Sequence, residues 1–262
     1  MTVPVTDRDA ECHRGVVERR LGVVGCRAGG GGRRAILRMP DYPGQRIVAL
    51  AVLADHVMGE AFYLAAPPGR WALTTELAVD VLAPLPWPDR EVSAAARILC
   101  CDARGGFGTC EVTGGDGAVL ATASTRLQYV AARAGAGPLP DAAPPDAALD
   151  VRAWADDGTG RAELRHPQHW SNNYGVLHGG VWAGITELAA AAVFARDGRL
   201  RTAHLHVRYL RSAEPGGPVR AEARPVHLGR SFGVLEVDGT DGTGQRCVTA
   251  TVTGRRDGGV AP

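Results

Sequence analysis

The sequence predicts an α+β protein in which one unit, an apolar helix followed by the strands of an antiparallel sheet, occurs twice. Three observations carry this. The composition changes at residues 131–148, AARAGAGPLPDAAPPDAA, where small residues and prolines without apolar periodicity read as a linker. The pieces on either side follow the same order of elements. A strand pattern then repeats in register: Thr74-x-x-Leu77-x-Val79-x-Val81-Leu82 matches Thr202-x-x-Leu205-x-Val207-x-Tyr209-Leu210. These features divide the 262 residues into 1–130, a linker at 131–148, and 149–262.

Each unit opens on a predicted strand pair. The first covers 16–25 and 33–40 around the glycines Gly29–Gly32, and the second covers 149–155 and 160–165 around Asp156–Gly158. Alanine-rich apolar helices follow at roughly 45–65 and 179–195. Three or four strands complete each unit, with turns at Gly114-Gly115-Asp116-Gly117 and Asp241-Gly242-Thr243-Gly244. In the repeated strand, Leu77/Val79/Val81 and Leu205/Val207/Tyr209 alternate with polar or small residues, so each strand has one face to bury.

Charge and composition narrow the function classes. The 29 basic residues, all arginine, nearly cancel 28 acidic ones. No excess is left to release counterions from a phosphate backbone, so no nucleic-acid partner is expected. The absence of lysine reads as the codon bias of a GC-rich genome rather than as function. With 45% hydrophobic but only 5% aromatic residues, the core must be made mainly of Ala, Val and Leu. No apolar run exceeds the eight residues of Ile47–Ala54 where a bilayer needs about 20, and no signal pattern is present at the start, so no membrane partner and a cytoplasmic location are expected. The six cysteines lack paired or ligand-like spacing and read as reduced thiols.

The second unit carries the most informative motif: Asn172-x-x-Gly175-x-x-His178-Gly179-Gly180 leads into the helix that bears Glu187, with Thr202 at the next strand. This pattern resembles the phenylacetate-degradation type of hotdog-fold acyl-CoA thioesterase across about 149–255. The first unit resembles the same fold through its element order and Leu53-Ala54-Asp55-His56, although it has no His-Gly-Gly. The resemblance implies a double hotdog, a covalent version of a hotdog dimer, acting on an acyl-CoA without a cofactor. It also implies that each site straddles the interface between two hotdogs. A homodimer of the fused pair is a candidate assembly.

The residue types fit that chemistry. Gly179 and Gly180 stand where the chain enters a helix, and free amides at a helix N-terminus attract developing negative charge. Donors of this kind polarise a thioester carbonyl and stabilise its oxyanion, each by roughly 3 kcal/mol. A carboxylate is needed as base on water or as nucleophile. Asp55 and Glu187 are the candidates, each within an apolar helix where desolvation disfavours charge. Nine residues between His178 and Glu187 correspond to roughly 13.5 Å of helix, so one helix cannot supply amide and acid to one site.

The acid must therefore come from the other unit. One expected site combines Asn172, His178 and Gly179 with Asp55 and Thr74. The other would combine Glu187 and Thr202 with the matching first-unit positions Pro40, Arg46 and Ile47. Pro40 cannot orient water with an amide side chain and Ile47 hinders approach to the backbone, so a degenerate site with a vestigial Glu187 is expected there. Thr75 is the alternative to Thr74, because the first helix-to-strand connection is longer. Asn172 is a candidate for orienting water, or simply a turn residue. His178 is expected to fix the loop. Gly180, Val181 and Arg230 are candidate substrate contacts, with Arg230 suited to a CoA phosphate or to plain solvation.

Competing chemistry has less support. His204 and His206 share a strand face but lack a third ligand, so no metal is expected. Gly29–Gly32 lacks the residues of a phosphate loop, and no Gly-x-Ser-x-Gly is present. The alternatives to acyl-CoA hydrolysis are hydrolysis of a carrier-protein thioester, a hotdog hydratase or dehydratase, and a non-catalytic acyl-CoA-binding protein.

Overall fold

The computed structural model describes residues 15–29, 32–41, 44–86, 90–131, 148–198, 200–213 and 217–256. Within them a single antiparallel sheet of 12 strands carries two long helices. The first half contains α1 (Val16–Arg20), β1 (Val23–Gly29), β2 (Gly32–Arg38), α2 (Arg46–Ala65), β3 (Arg70–Val81), β4 (Glu91–Asp102), β5 (Gly105–Thr113) and β6 (Val119–Ala131). The second contains β7 (Val151–Asp156), β8 (Thr159–Leu164), α3 (Gly179–Asp197), β9 (Leu200–Tyr209), β10 (Val219–Leu228), β11 (Phe232–Thr240) and β12 (Arg246–Arg256).

Strand order repeats from the two outer edges inward. It runs β1-β2-β4-β5-β6-β3 from one edge and β7-β8-β10-β11-β12-β9 from the other. The halves join where β3 pairs antiparallel with β9, placing Leu77 opposite Val207 and Val79 opposite Leu205. That pairing exchanges the two repeated strands about Ala78 and His206, which are themselves opposite each other. All four apolar residues are buried. The alternating face of each strand is thus the face that covers the helices.

Both long helices lie in one hydrophobic core. Glycines on α3 let α2 approach closely: a Cβ on Gly180 would lie 2.5 Å from Val52 Cα, and one on Gly184 would lie 2.6 Å from Val48 Cγ1. The crossing is antiparallel, and adding 132 to Val52 and Val48 gives Gly184 and Gly180, so the contacts map onto each other. The same interval relates Asp55 to Glu187. The turns repeat as well. Asp116 Oδ1 accepts from Ala118 N in the first half, and Asp241 Oδ1 accepts from Thr243 N and Gln245 N in the second.

Several expectations are corrected. Residues 16–20 form α1 and not the start of a strand, because Gly22 (φ 90°) turns the chain between α1 and β1. A side chain there would meet Arg38 O at 2.2 Å. Cys26 is disulfide-bonded, whereas Cys100, Cys101, Cys110 and Cys247 are free thiols. The eight-residue run understates α2. The full helix, at 20 residues and mean hydropathy 1.6, is long and apolar enough to cross a membrane, but 67% of that stretch is buried against the sheet and α3. The expected linker, apart from Ala131 and Ala148, lies outside the described residues, as do Gly30 and Gly31 of the first hairpin.

Candidate active site at the crossing of the two helices

The loop before α3 is shaped by its own motif. Asn172 Oδ1 accepts from Tyr174 N at 2.9 Å and Val176 N at 3.3 Å, while Gly175 supplies the left-handed turn at φ 73°. The amide of Asn172 accordingly acts through its carbonyl as the turn residue of the loop. Ser171 and Leu177 bridge across its base, and His178 N donates to Trp170 O, delivering His178 to the N-cap of α3. There His178 Nδ1 accepts from Gly180 N at 3.0 Å.

Asp55 enters this helix start from α2. Its Oδ2 accepts from the same Gly180 N–H at 3.0 Å and lies 3.4 Å from His178 Nδ1. Its other oxygen, Oδ1, accepts from Thr74 Oγ1 at 2.8 Å. Thr75 faces elsewhere and donates to Arg126 O. Tyr209, at the end of β9, donates its hydroxyl to Gly179 O at 2.8 Å and pins the first turn of α3. Elements of both halves therefore converge on one carboxylate, whose side chain keeps 11% exposure.

The two glycines have separate reasons. A Cβ on Gly179 would sit 2.7 Å from Asp55 Oδ2, whereas one on Gly180 would strike the backbone of Ala51 and Val52. The space that the sequence suggests for a ligand at Gly180 is filled by α2 itself. Gly179 is only partly buried and, as the first helical residue, its N–H has no intrahelical acceptor.

The related position in the second half is built differently. Glu187 is 3% exposed and accepts from Thr202 Oγ1 at 2.6 Å. Burial pushes its carboxyl up to about 7, partly offset by that hydrogen bond. The register across the helices sets Ile47 and Val48 where the first site has Gly179 and Gly180. Both carry branched side chains, and Val48 is fully buried. Arg46 is the first residue of α2 and Pro40 lies ahead of it, so neither caps that helix; Gln45 takes the N-cap position and bonds its side chain to Leu149.

Val181 is fully buried in the core. Arg230 is exposed on the β10–β11 hairpin, where neighbouring Gly233 packs toward Phe194 near the far end of α3. Gly180 and Phe194 are about 21 Å apart along the helix axis. His204 pairs with Asp80 at 2.8 Å and His206 lies 3.7 Å from Glu76, and no metal-like cluster occurs among the described residues.

The structure adds residues that sequence reasoning missed. Glu18 of α1 and His56 of α2 are buried behind His178. Trp71 of β3 stacks on Tyr174 with ring centroids 4.2 Å apart, joining the start of β3 to the loop before α3. Tyr174 lies inside the recognised motif and was findable there. Nothing in the local pattern distinguishes Glu18.

Residues 174–248 match the thioesterase superfamily. The matched segment holds His178, Gly179, Gly180, Glu187 and Thr202, while Asp55 and Thr74 lie outside it. No curated protein matches the chain in sequence. Solved structures do match in fold. An acyl-CoA thioesterase II of Mycobacterium marinum is 13% identical, with a TM-score of 0.62 over 94% of this chain and 99% of that one. The tesB protein of Mycobacterium avium subsp. paratuberculosis is 11% identical, with a TM-score of 0.61 over 88% and 95%. A hotdog-fold protein of unknown function from Alicyclobacillus acidocaldarius is 13% identical, with a TM-score of 0.57 over 95% and 100%. The chain shares the fold of these proteins.

Proposed function

We propose that the protein is a double-hotdog hydrolase of acyl-CoA thioesters with one working site, at Asp55. The observation that carries the reading is the hydrogen bond from Gly180 N to Asp55 Oδ2 at 3.0 Å. It brings a carboxylate of one half into contact with the helix start of the other. General base and oxyanion donor must lie this close to act on one acyl carbon. The thioesterase match over residues 174–248 and the fold shared with an acyl-CoA thioesterase II support the choice of reaction.

In this mechanism the acyl carbonyl oxygen takes a hydrogen bond from the start of α3, with Gly179 N–H as the free donor. Asp55 removes a proton from water as the water oxygen bonds to the acyl carbon. The carbonyl electrons move to oxygen, and the amide and the α3 dipole stabilise the resulting oxyanion. Collapse re-forms the carbonyl and breaks the carbon–sulfur bond. The thiolate leaves with the proton held by Asp55, giving free acid and CoA. Thr74 holds Asp55 Oδ1 and the Gly180 amide holds Oδ2, and together they orient the carboxylate at the start of α3.

Thiol release from a panel of aliphatic and aryl acyl-CoA substrates tests the function. Release that depends on the protein supports hydrolysis. Binding of acyl-CoA without any thiol release contradicts it.

A further inference from the structure

Behind the site lies a buried polar group that the hydrolytic steps above do not use. Glu18 Oε1 meets His178 Nε2 at 3.2 Å and His56 Nδ1 at 3.2 Å, and all three residues are at most 6% exposed. Glu18 Oε2 and His56 Nε2 have no hydrogen-bond partner among the described residues, so the contacts converge on one oxygen. A buried carboxylate held this way is costly unless its partners are fixed. Each ring must present an N–H to Glu18, and for His178 that N–H is on Nε2.

This sets the other side of the ring. With the proton on Nε2, Nδ1 of neutral His178 carries a lone pair and accepts the Gly180 N–H, as the 3.0 Å contact requires. A second proton would turn Nδ1 into a donor facing Asp55 Oδ2 at 3.4 Å. The acid would then be engaged by imidazolium and less able to accept a proton from water.

We infer that Glu18 is a positioning residue that holds His178 in its Nε2–H form, so that Nδ1 supports the Gly180 amide and leaves Asp55 available. The inference rests on the hydrolytic reading for its kinetic consequences, but not for the ring geometry. Among the described residues, the charged or titratable groups facing His178 are Glu18 from α1 and Asp55 and His56 from α2, while Tyr209 of β9 bonds the neighbouring Gly179 O. Burial opposes a charged ring at His178, yet the Glu18 hydrogen bond and the two nearby carboxylates outweigh it, and its titration moves above the ordinary imidazole range. Loss of activity on acidification should therefore follow His178, and removing the Glu18 charge should move that loss to lower pH.

Glu18→Gln keeps an acceptor for Nε2–H but removes the charge. Its acid limb should shift down by about one pH unit, with KM within about twofold of the parent. Glu18→Leu also removes the acceptor and should lower kcat about tenfold. An unshifted acid limb in folded Glu18→Gln would overturn the proposal, because a merely structural role leaves the limb in place. Ring nitrogen NMR of the unaltered protein gives an answer independent of turnover and of how the variants fold. Above the acid limb, His178 should show a protonated Nε2 and a bare Nδ1; the opposite tautomer would overturn the assignment. If the unaltered protein hydrolyses no acyl-CoA, the hydrolytic reading fails while this spectrum still decides the role of Glu18.

Discussion

The amide of Gly180, on the first turn of α3, donates to Asp55 Oδ2 on α2 at 3.0 Å, and the same amide donates to His178 Nδ1 at 3.0 Å. One donor thus ties the acid of the first half to the capping histidine of the second. The other Asp55 oxygen is held by Thr74.

Removing that second hold should loosen the acid without unfolding the protein. Thr74→Val loses a hydrogen bond to a carboxylate, worth about 1.5–3 kcal/mol, and activity should fall about tenfold or more. Thr75→Val, whose hydroxyl bonds Arg126 O, should change activity less than twofold by the same assay, since Thr75 does not touch the acid. Equal effects from the two substitutions would remove Thr74 from the site.

The adjacent glycines should separate activity from stability. Gly180→Ala drives a methyl into the α2 backbone, which cannot move aside locally, and should destabilise by about 1–3 kcal/mol or more. Gly179→Ala instead meets the Asp55 carboxylate at 2.7 Å and should reduce turnover with a smaller loss of stability. Thermal melts and rates on both variants check the pair. A Gly180→Ala protein as stable as the parent contradicts the packing account.

Glu187 makes a pH prediction whose sign follows from its carboxyl, raised from 4.5 to about 7. An acid raised on folding binds its proton more tightly in the native state. Its contribution to stability is therefore complete below the unfolded value and is lost as pH rises from about 4.5 through about 7. Across that window the loss is roughly 3 kcal/mol. Glu187→Gln, permanently neutral, should flatten this part of the stability curve and be more stable than the parent above pH 7. Urea unfolding at several pH values provides the check, and an unchanged slope would falsify the burial argument.

Legibility in the sequence tracked how local each cause is. The alternation Leu77/Val79 and Leu205/Val207 records a buried face directly, and the structure pairs those strands across the middle of the sheet. Apolar runs record α2 and α3 within one or two residues of their ends. Residues 16–20 read as strand because the run VVERR is too short to show a helical period, and its turn at Gly22 is set by contact with Arg38. The reason for Gly180 was equally hidden, since the backbone it accommodates belongs to a helix 125 residues away at Asp55. Glu18 is set by packing 160 residues distant from His178 in the chain. Such contacts leave no trace in spacing.

The central claim, one working acid supplied by the first half, is tested most directly by assaying Asp55→Asn and Glu187→Gln side by side for thiol release from acyl-CoA. Loss of the general base should cost Asp55→Asn about 100-fold or more, while Glu187→Gln should stay within about twofold of the parent. Loss of activity in Glu187→Gln with Asp55→Asn intact would contradict the account.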